Sequence, residues 1–219
     1  MRDYLQRLPL IAILRGVTPE EVVPIGDALV QAGFAIIEVP LNSPQPFDSI
    51  RRLADAFGAN TLVGAGTVMS ADDVKRVADA GGQLVVMPHG DAEVVRSAKS
   101  HGLLCCPGIV TPTEWFAALA NGADALKLFP AELVSPSVLR AMRSVFPADT
   151  LLLPVGGITP DSMAPFARAG ASGFGLGSAL YKRGDTANTV AEHAAAFVAA
   201  WHRAGQVMPP RPRLQPKAE

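Results

Sequence analysis

The sequence predicts a single-domain α/β fold, a (β/α)8 or TIM barrel, because eight short apolar segments alternate with segments that carry helix start and stop signals. Of the 219 residues, 49% are hydrophobic and 18% are charged. A chain of this size can bury about 70% of its unfolded surface in one core. The 19 Lys and Arg nearly balance the 20 Asp and Glu, for a formal net charge of −1. That balance argues against a nucleic-acid-binding surface.

The eight apolar segments are typical of parallel strands. Most are continuous apolar runs without polar alternation, as expected where helices cover one face of a strand and a packed interior covers the other. They span residues 8–14, 34–39, 61–65, 84–87, 103–106, 125–129, 151–155 and 173–176. We therefore expect eight strands in this order along the chain.

The segments between the predicted strands contain residues typical of helix starts and helix ends. Helix starts are predicted at Thr18 with Glu21, at Ser70 with Asp73, and at Thr159. We expect many helices to end at a glycine shortly before the next strand, because a left-handed C-terminal cap is favourable mainly for glycine. These glycines are Gly33, Gly58, Gly81, Gly102, Gly122 and Gly170.

Eight units of helix, glycine and strand fit a closed barrel, which usually needs about 200 to 250 residues. The alternative is a doubly wound open sheet, which usually has fewer strands. Such a sheet would be expected to carry a dinucleotide-binding fingerprint. The GAG stretch at residues 64–66 and the GFG stretch at residues 173–175 lack the rest of one. The closed barrel is therefore favoured.

The chain divides into a barrel domain over residues 1–205 and a tail over residues 206–219. The last 13 residues of the tail contain four prolines and few apolar residues, so we expect it to be disordered, with packing on a neighbouring subunit as the alternative. No apolar stretch approaches the ~18 residues of a membrane span. Cys105 and Cys106 are adjacent in sequence and close no loop, which favours a reducing, cytoplasmic location.

Lys127 is the most informative residue, because it interrupts the apolar strand segment 125–129. Burial of an ammonium group is unfavourable unless the group is paired or its pKa falls, and a neutral lysine is a nucleophile. Strand alternation turns Lys127 away from Leu126 and Leu128, toward the interior of a barrel. The alternative is a lysine that extends past the barrel end to solvent or pairs with an acid.

Glu38 interrupts the strand segment 34–39 in the same way. Alternation turns its carboxylate away from Ile37 and Val39, so we expect it to share one cavity with Lys127. An amine and a carboxylate placed together can exchange protons as general acid and base. The alternative is a buried structural salt bridge, although such bridges contribute little to stability.

Three other features suggest an anionic ligand. Arg15 ends the first predicted strand and could bind a carboxylate or serve as a plain surface charge. Glycine clusters follow the seventh and eighth strands, at residues 156–157 and 175–177. In barrels these two loops often bind phosphate through backbone N–H groups, and tight-turn geometry is the alternative.

Histidine-based chemistry is not indicated. Of the four histidines, only His89 lies at a predicted strand end. A zinc site needs several convergent ligands, and a Ser-His-acid triad needs a base near a nucleophile. We therefore expect no metal and no cofactor, and the residues favour amine chemistry assisted by one carboxylate.

Stretches between about Leu8 and Lys182 resemble a known enzyme family. They read PLIAILRG, EVPLNSP, VGAGTV, CPG, ALKLFPAE, VGGI and GLGSALY. In combination they are similar to the class I, metal-independent aldolases of the 2-dehydro-3-deoxy-phosphogluconate and phosphogalactonate family. The resemblance implies a Schiff base between Lys127 and the keto carbon of the substrate, with Glu38 moving the protons. It also implies a homotrimer.

The same resemblance implies which residues bind the substrate, a phosphorylated 2-keto-3-deoxy sugar acid that is cleaved to pyruvate and D-glyceraldehyde 3-phosphate. Arg15 and Thr67, together with Lys127, would surround the pyruvate portion. The phosphate group would be held by Gly156, Gly157, Gly177 and Ser178.

Two residues suggest which substrate epimer is cleaved. Phosphogluconate members of the family tend to carry an arginine in the loop after the glutamate and a threonine before the glycine pair. This chain has Asn42 and Val155 there, which resembles the phosphogalactonate branch. Since shape alone discriminates by about 1 to 3 kcal/mol, relaxed specificity stays open. The alternatives are a phosphogluconate aldolase and a non-catalytic barrel that binds phosphorylated ligands.

Overall fold

The computed structural model describes residues 1–205 as an α/β fold. Residues 206–219, which hold the predicted tail, lie outside the described residues. The helices are α1 (Arg2–Arg7), α2 (Val22–Gln31), α3 (Pro46–Phe57), α4 (Ala71–Asp79), α5 (Ala92–Ser100), α6 (Pro112–Ala120), α7 (Pro136–Arg143), α8 (Met163–Arg168) and α9 (Ala187–Gly205). A short 3-10 helix spans Ala131–Leu133.

The strands are all paired in parallel and lie in two sheets. Their bounds are β1 (Leu10–Ile13), β2 (Ile36–Pro40), β3 (Leu62–Gly66), β4 (Leu84–Val86), β5 (Leu104–Cys106), β6 (Gly108–Ile109), β7 (Leu126–Leu128), β8 (Leu152–Pro154) and β9 (Phe174–Leu176). A curled six-stranded sheet has the order β5-β4-β3-β2-β1-β9, and a three-stranded sheet has the order β6-β7-β8. Each of the eight predicted apolar segments overlaps a strand, so their assignment to strands is confirmed.

The one additional strand arises where Pro107 separates β5 from β6. Proline has no N–H to donate to a neighbouring strand, so it interrupts the hydrogen-bond ladder. The carbonyl of Pro107 still accepts a hydrogen bond from the Lys127 N–H at 2.9 Å. The chain therefore keeps its direction through the proline and aligns Gly108 opposite Lys127.

The two faces of the strands bury different sets of residues. One face packs against the helices and contributes alternate residues such as Ile37, Val39, Leu126 and Leu128 to the main hydrophobic cluster. The opposite face contributes a smaller cluster that also contains Leu5 of α1. Its members are Leu5, Ile11, Ile36, Leu62, Leu84, Val86, Cys106, Ala125 and Leu153. Ile36 and Ala125, which lie two positions before Glu38 and Lys127 on the same strand face, belong to this smaller cluster, in agreement with the predicted alternation.

The predicted helix signals are confirmed in part. Ser70 caps α4 by accepting a hydrogen bond from the Asp73 N–H at 3.1 Å. Glu21 accepts one from the Thr18 N–H at 3.2 Å, but α2 begins only at Val22, after a turn. The predicted left-handed glycine cap after α3 is wrong, because Gly58 has a φ of −58° and continues in right-handed geometry. The other five predicted glycines have positive φ.

No helix within residues 1–205 is both long and apolar enough to span a membrane.

Candidate active site

Lys127 lies in the middle of β7 and is only 4% exposed. Its ammonium nitrogen is 4.4 Å from the centre of the Phe129 ring. Burial lowers the pKa of Lys127, and the positive charge of Arg15 lowers it further, while Glu38 and Cys106 oppose the shift. A buried amine with a depressed pKa is neutral for a larger fraction of the time than an exposed lysine, which is the condition for nucleophilic attack.

Glu38 lies in β2 and is 1% exposed. Burial raises the pKa of its carboxyl group to about 7, against the opposing influence of Lys127 and Arg15. Its Oε2 atom is buried and has no hydrogen-bond partner. Gly66 makes room for this carboxyl group, because a Cβ atom at position 66 would overlap Oε2. A carboxyl group with a pKa near 7 can both accept and donate a proton at physiological pH.

Lys127 and Glu38 influence each other without forming a direct ion pair. The charge of Lys127 lowers the pKa of Glu38, and the charge of Glu38 raises the pKa of Lys127. Within residues 1–205, however, the ion pairs lie elsewhere, and Glu38 Oε2 stays unpartnered. The alternative interpretation as a structural salt bridge is therefore wrong.

Arg15 is held at the end of β1 by side chains of two neighbouring loops. It donates hydrogen bonds to Asn42 Oδ1 at 2.7 Å and to Thr67 Oγ1 at 3.5 Å. The Gly16 N–H also donates to the buried Ser43 Oγ at 2.9 Å. Thr67 has a φ of 55°, a left-handed conformation that costs a non-glycine residue energy. Asn42 and Thr67 therefore contact Arg15 directly.

A cavity of about 480 Å³ opens beside Lys127. The sequence-predicted residues that line it are Arg15, Lys127, Val155, Gly156, Gly157, Gly177 and Ser178. Glu38 does not line this cavity. Asn42 and Thr67 line an adjacent groove of about 540 Å³ that contains no buried titratable side chain. The smaller cavity is therefore the better candidate site, because it alone of these two contains the buried amine.

Two structural features explain why residues 156 and 157 are both glycine. Both residues have positive φ, 107° and 60°. The Glu132 side chain also packs against them, with its carboxyl group where a Cβ atom at either position would lie. Tight-turn geometry therefore accounts for the pair without a ligand. Gly177 differs, since a Cβ atom there would meet nothing within 4 Å and its φ is not positive.

Val155 is 7% exposed and follows β8. Its side chain lies against Gly175 of β9, where a Cβ atom would come within 2.7 Å of a Val155 methyl carbon. A Cβ at Gly175 would also lie 3.3 Å from Ile13. Val155 thus presents an apolar surface to the cavity, and Gly175 on the next strand leaves room for its side chain.

The cavity is also lined by residues that the sequence analysis missed, among them Phe129, Glu132, Lys182 and Arg183. Glu132 lies in the quoted stretch ALKLFPAE, and Lys182 and Arg183 directly follow GLGSALY. For the three charged residues the only signal is their position close behind a strand end, which does not distinguish a charge that lines a cavity from an ordinary surface charge. Within residues 1–205 there is no group of three or more His, Cys, Asp or Glu side chains arranged to hold a metal ion.

A family model described as "Aldolase: KDPG and KHG aldolase" matches residues 1–193. The 2-dehydro-3-deoxy-6-phosphogalactonate aldolase of Escherichia coli strain K12 is 46% identical over 200 residues, which cover 91% of this chain and 98% of that protein. A solved structure described as native KDPGal matches with a TM-score of 0.90 and 46% identity, covering 91% of this chain and 97% of that chain.

A second solved structure is a cube-shaped, highly porous protein cage designed by fusing symmetric oligomeric domains. It matches with a TM-score of 0.90 and 45% identity, covering 92% of this chain and 74% of that chain. The family match includes every strand of the two sheets, together with Glu38 and Lys127. This chain belongs to the KDPG and KHG aldolase family.

Proposed function

We propose that this protein is a class I aldolase that cleaves 2-dehydro-3-deoxy-6-phosphogalactonate to pyruvate and D-glyceraldehyde 3-phosphate. The observation that carries the proposal is the Lys127 amine, 4% exposed, with a lowered pKa, on the wall of a cavity of about 480 Å³. Neutral Lys127 attacks the C2 ketone of the substrate, and loss of water from the carbinolamine gives a protonated Schiff base. Its positive charge then accepts the electron pair of the C3–C4 bond when that bond breaks.

Glu38 is the proposed proton carrier. Formation of the Schiff base requires a proton for the departing hydroxide, and cleavage removes the proton of the C4 hydroxyl as the aldehyde leaves. The resulting enamine then takes a proton at C3, and hydrolysis releases pyruvate and frees Lys127. A carboxyl group with a pKa of about 7 suits both directions of transfer. Because Glu38 lies behind the cavity wall, we propose that bound water carries protons between it and the substrate.

We propose that the substrate lies with its carboxylate toward Arg15 and its phosphate toward the loops after β8 and β9. A guanidinium group binds carboxylates well, and Arg15 is already oriented by Asn42 and Thr67. The loops at residues 156–157 and 177–178 line the other part of the cavity. This orientation puts the keto carbon, which lies next to the carboxylate, near Lys127.

Asn42 and Val155 are the proposed determinants of epimer preference. Val155 offers no hydrogen bond to a substrate hydroxyl, and Asn42 is occupied with Arg15. A phosphogluconate preference is the alternative outcome of the test below. An apolar pocket wall discriminates by only about 1 to 3 kcal/mol, so we expect measurable cleavage of both epimers.

We propose that the two sheets form one closed (β/α)8 barrel in which β5 and β6 together make the fifth strand. An isolated parallel bridge links Val155 to Gly175, and the Ser172 N–H donates to the Leu152 carbonyl at 2.8 Å. The Cys105 carbonyl accepts a hydrogen bond from the Asp124 N–H at 2.9 Å. These contacts support continuous pairing from β5 through β9 to β1.

A homotrimer in the cytoplasm is the proposed state of the protein. The matching cage was built from symmetric oligomeric domains, which supports self-association of this fold. Several large apolar side chains are exposed on the single chain, including Met69 at 61% and Leu133 at 72%. Cys105 and Cys106 are buried free thiols, as is usual for proteins of reducing compartments.

Two measurements test the reaction. Pyruvate and borohydride should leave a covalent mass on Lys127, and the Lys127→Ala variant should stay unlabelled while it remains folded. Pyruvate release from each epimer, coupled to lactate dehydrogenase, should be faster for the phosphogalactonate. Absence of the adduct on Lys127 would refute the Schiff base. Release of pyruvate from neither epimer would leave a binding protein as the remaining interpretation.

A further inference from the structure

Besides Arg15, three exposed charged side chains line the active-site cavity, namely Glu132, Lys182 and Arg183. Lys182 and Arg183 follow Gly177 and Ser178 within six residues of chain. Within residues 1–205, none of the three side chains forms a hydrogen bond or an ion pair. Two cations and one anion are therefore free to respond to a ligand in this cavity.

The backbone that carries the two cations is fixed although their charged groups are free. The Lys182 N–H donates to Asp185 Oδ2 at 2.8 Å, and Gly184 has a φ of 92°, which makes a tight turn. The Arg183 stem packs over Gly16, where a Cβ atom would lie 3.4 Å from Arg183 Cβ. Arg183 is thus anchored beside the turn that carries Arg15, at the edge of the same cavity.

The predicted phosphate-binding loops contain no charge of their own. Residues 156–157 and 177–178 are three glycines and a serine, which offer backbone and hydroxyl dipoles only. A phosphate monoester carries a charge of about −1.5 to −2 at pH 7. Hydrogen bonds to a charged partner are stronger than those between neutral groups, so a phosphate site gains most from cations that lack another partner.

We propose that Lys182 and Arg183 supply the positive charge that holds the phosphate group of the substrate, and that Glu132 opposes it. The identity of the ligand rests on the proposed function. The cation pair attracts a dianion in the cavity. The carboxylate of Glu132, packed on the glycine pair, weakens that attraction and so limits how tightly phosphate-bearing substrate and product bind.

The test uses glycerol 3-phosphate as the probe, with calorimetric binding to the full chain and glycerol as the uncharged reference. Lys182→Met and Arg183→Met keep an unbranched stem and remove the charge. Each should raise the Kd for glycerol 3-phosphate about tenfold and should flatten its dependence on sodium chloride. Arg51→Met, an exposed cation on α3 outside both cavities, should leave the Kd unchanged.

Glu132→Gln distinguishes charge from packing, because it removes the charge and keeps the shape. We expect it to lower the Kd for glycerol 3-phosphate, the opposite direction from the two cation variants. A raised Kd in Glu132→Gln, an unchanged Kd in both cation variants, or no binding by the unaltered chain would overturn the inference. Labelling by pyruvate and borohydride involves no phosphate, so its failure alone would refute the aldolase proposal and leave this inference standing.

Discussion

The protein interior beside the cavity and the rim of the cavity carry ionisable side chains with different roles. In the interior, Lys127 on the cavity wall and Glu38 behind it are almost fully buried, and burial is the largest cause of both pKa shifts. At the rim, Lys182, Arg183 and Glu132 are exposed. Strand positions therefore tune reactivity by exclusion of water, whereas positions in the connecting segments provide charge that water partly screens. Changes in the interior should therefore have larger effects than changes at the rim.

The largest expected effect follows from Glu38→Gln, which keeps the shape of the side chain but cannot carry a proton. We expect kcat for pyruvate release to fall by about 10² to 10⁴, the usual contribution of general acid and base catalysis. Glu93→Gln, an exposed carboxylate on α5, is the matched control and should leave kcat unchanged. A Glu38→Gln variant that is folded by circular dichroism and retains more than a tenth of the activity would contradict the proton-carrier role.

The interior should also make the stability of the protein depend on pH. The pKa of Glu38 is raised from 4.5 to about 7, so the unfolded chain ionises first as the pH rises. The free energy of unfolding should therefore fall by up to about 3 kcal/mol between pH 4.5 and 7. The measurement is urea denaturation across this range.

Two variants check the origin of that slope. Glu38→Gln should remove this contribution to the slope, because no carboxyl group remains to titrate in the interior. Lys127→Met should extend the fall above pH 7, because the positive charge of Lys127 lowers the pKa of Glu38. An equal slope in the unaltered chain and in Glu38→Gln would show that other groups cause it.

Gly66→Ala tests whether the space around the Glu38 carboxyl group matters in addition to the exclusion of water from it. The added Cβ atom would overlap Glu38 Oε2, so the carboxyl group must move or the strands must separate. Overpacking of this kind typically costs about 1 to 3 kcal/mol of stability, and we expect kcat to fall as well. In a Glu38→Ala background the same substitution should cost much less, because the overlapping group is gone. Equal costs in both backgrounds would locate the strain elsewhere.

The sequence predicted the interior better than the rim for a physical reason. A charged residue within an apolar strand is conspicuous, and two-residue alternation fixes its direction, so Lys127 and Glu38 could be found from pattern alone. Glu132 lies in the short 3-10 helix after β7 and Arg183 lies in a turn, and charge is ordinary in such connecting segments. Their importance depends on which loops meet around the cavity, and the sequence contains no local signal for that.

The same reasoning explains the smaller discrepancies. Gly58 resembles the other helix-ending glycines in sequence, but the chain after α3 continues in a further right-handed turn. In that turn the Asn60 and Thr61 N–H groups both donate to the Phe57 carbonyl. Pro107 separates β5 from β6 because it lacks an N–H. The proline is visible in the sequence, but only the neighbouring strand shows that it interrupts a hydrogen-bond ladder. The local sequence limits the conformations that each segment can adopt, and contacts with neighbouring segments select one of them.

The smallest expected effect is at Asn42, which lines the adjacent groove and acts on the cavity through Arg15. Asn42→Ala removes the acceptor of the 2.7 Å hydrogen bond and leaves the weaker 3.5 Å contact of Arg15 with Thr67. Because the pair is exposed, its loss should cost about 1 kcal/mol or less. We expect the KM for substrate to rise up to about fivefold with little change in kcat, and Asn42→Asp to keep KM low because its carboxylate still accepts from Arg15. A fall in kcat at unchanged KM would instead make Asn42 part of the interior chemistry, and the division between interior and rim would then fail at the point where the two regions meet.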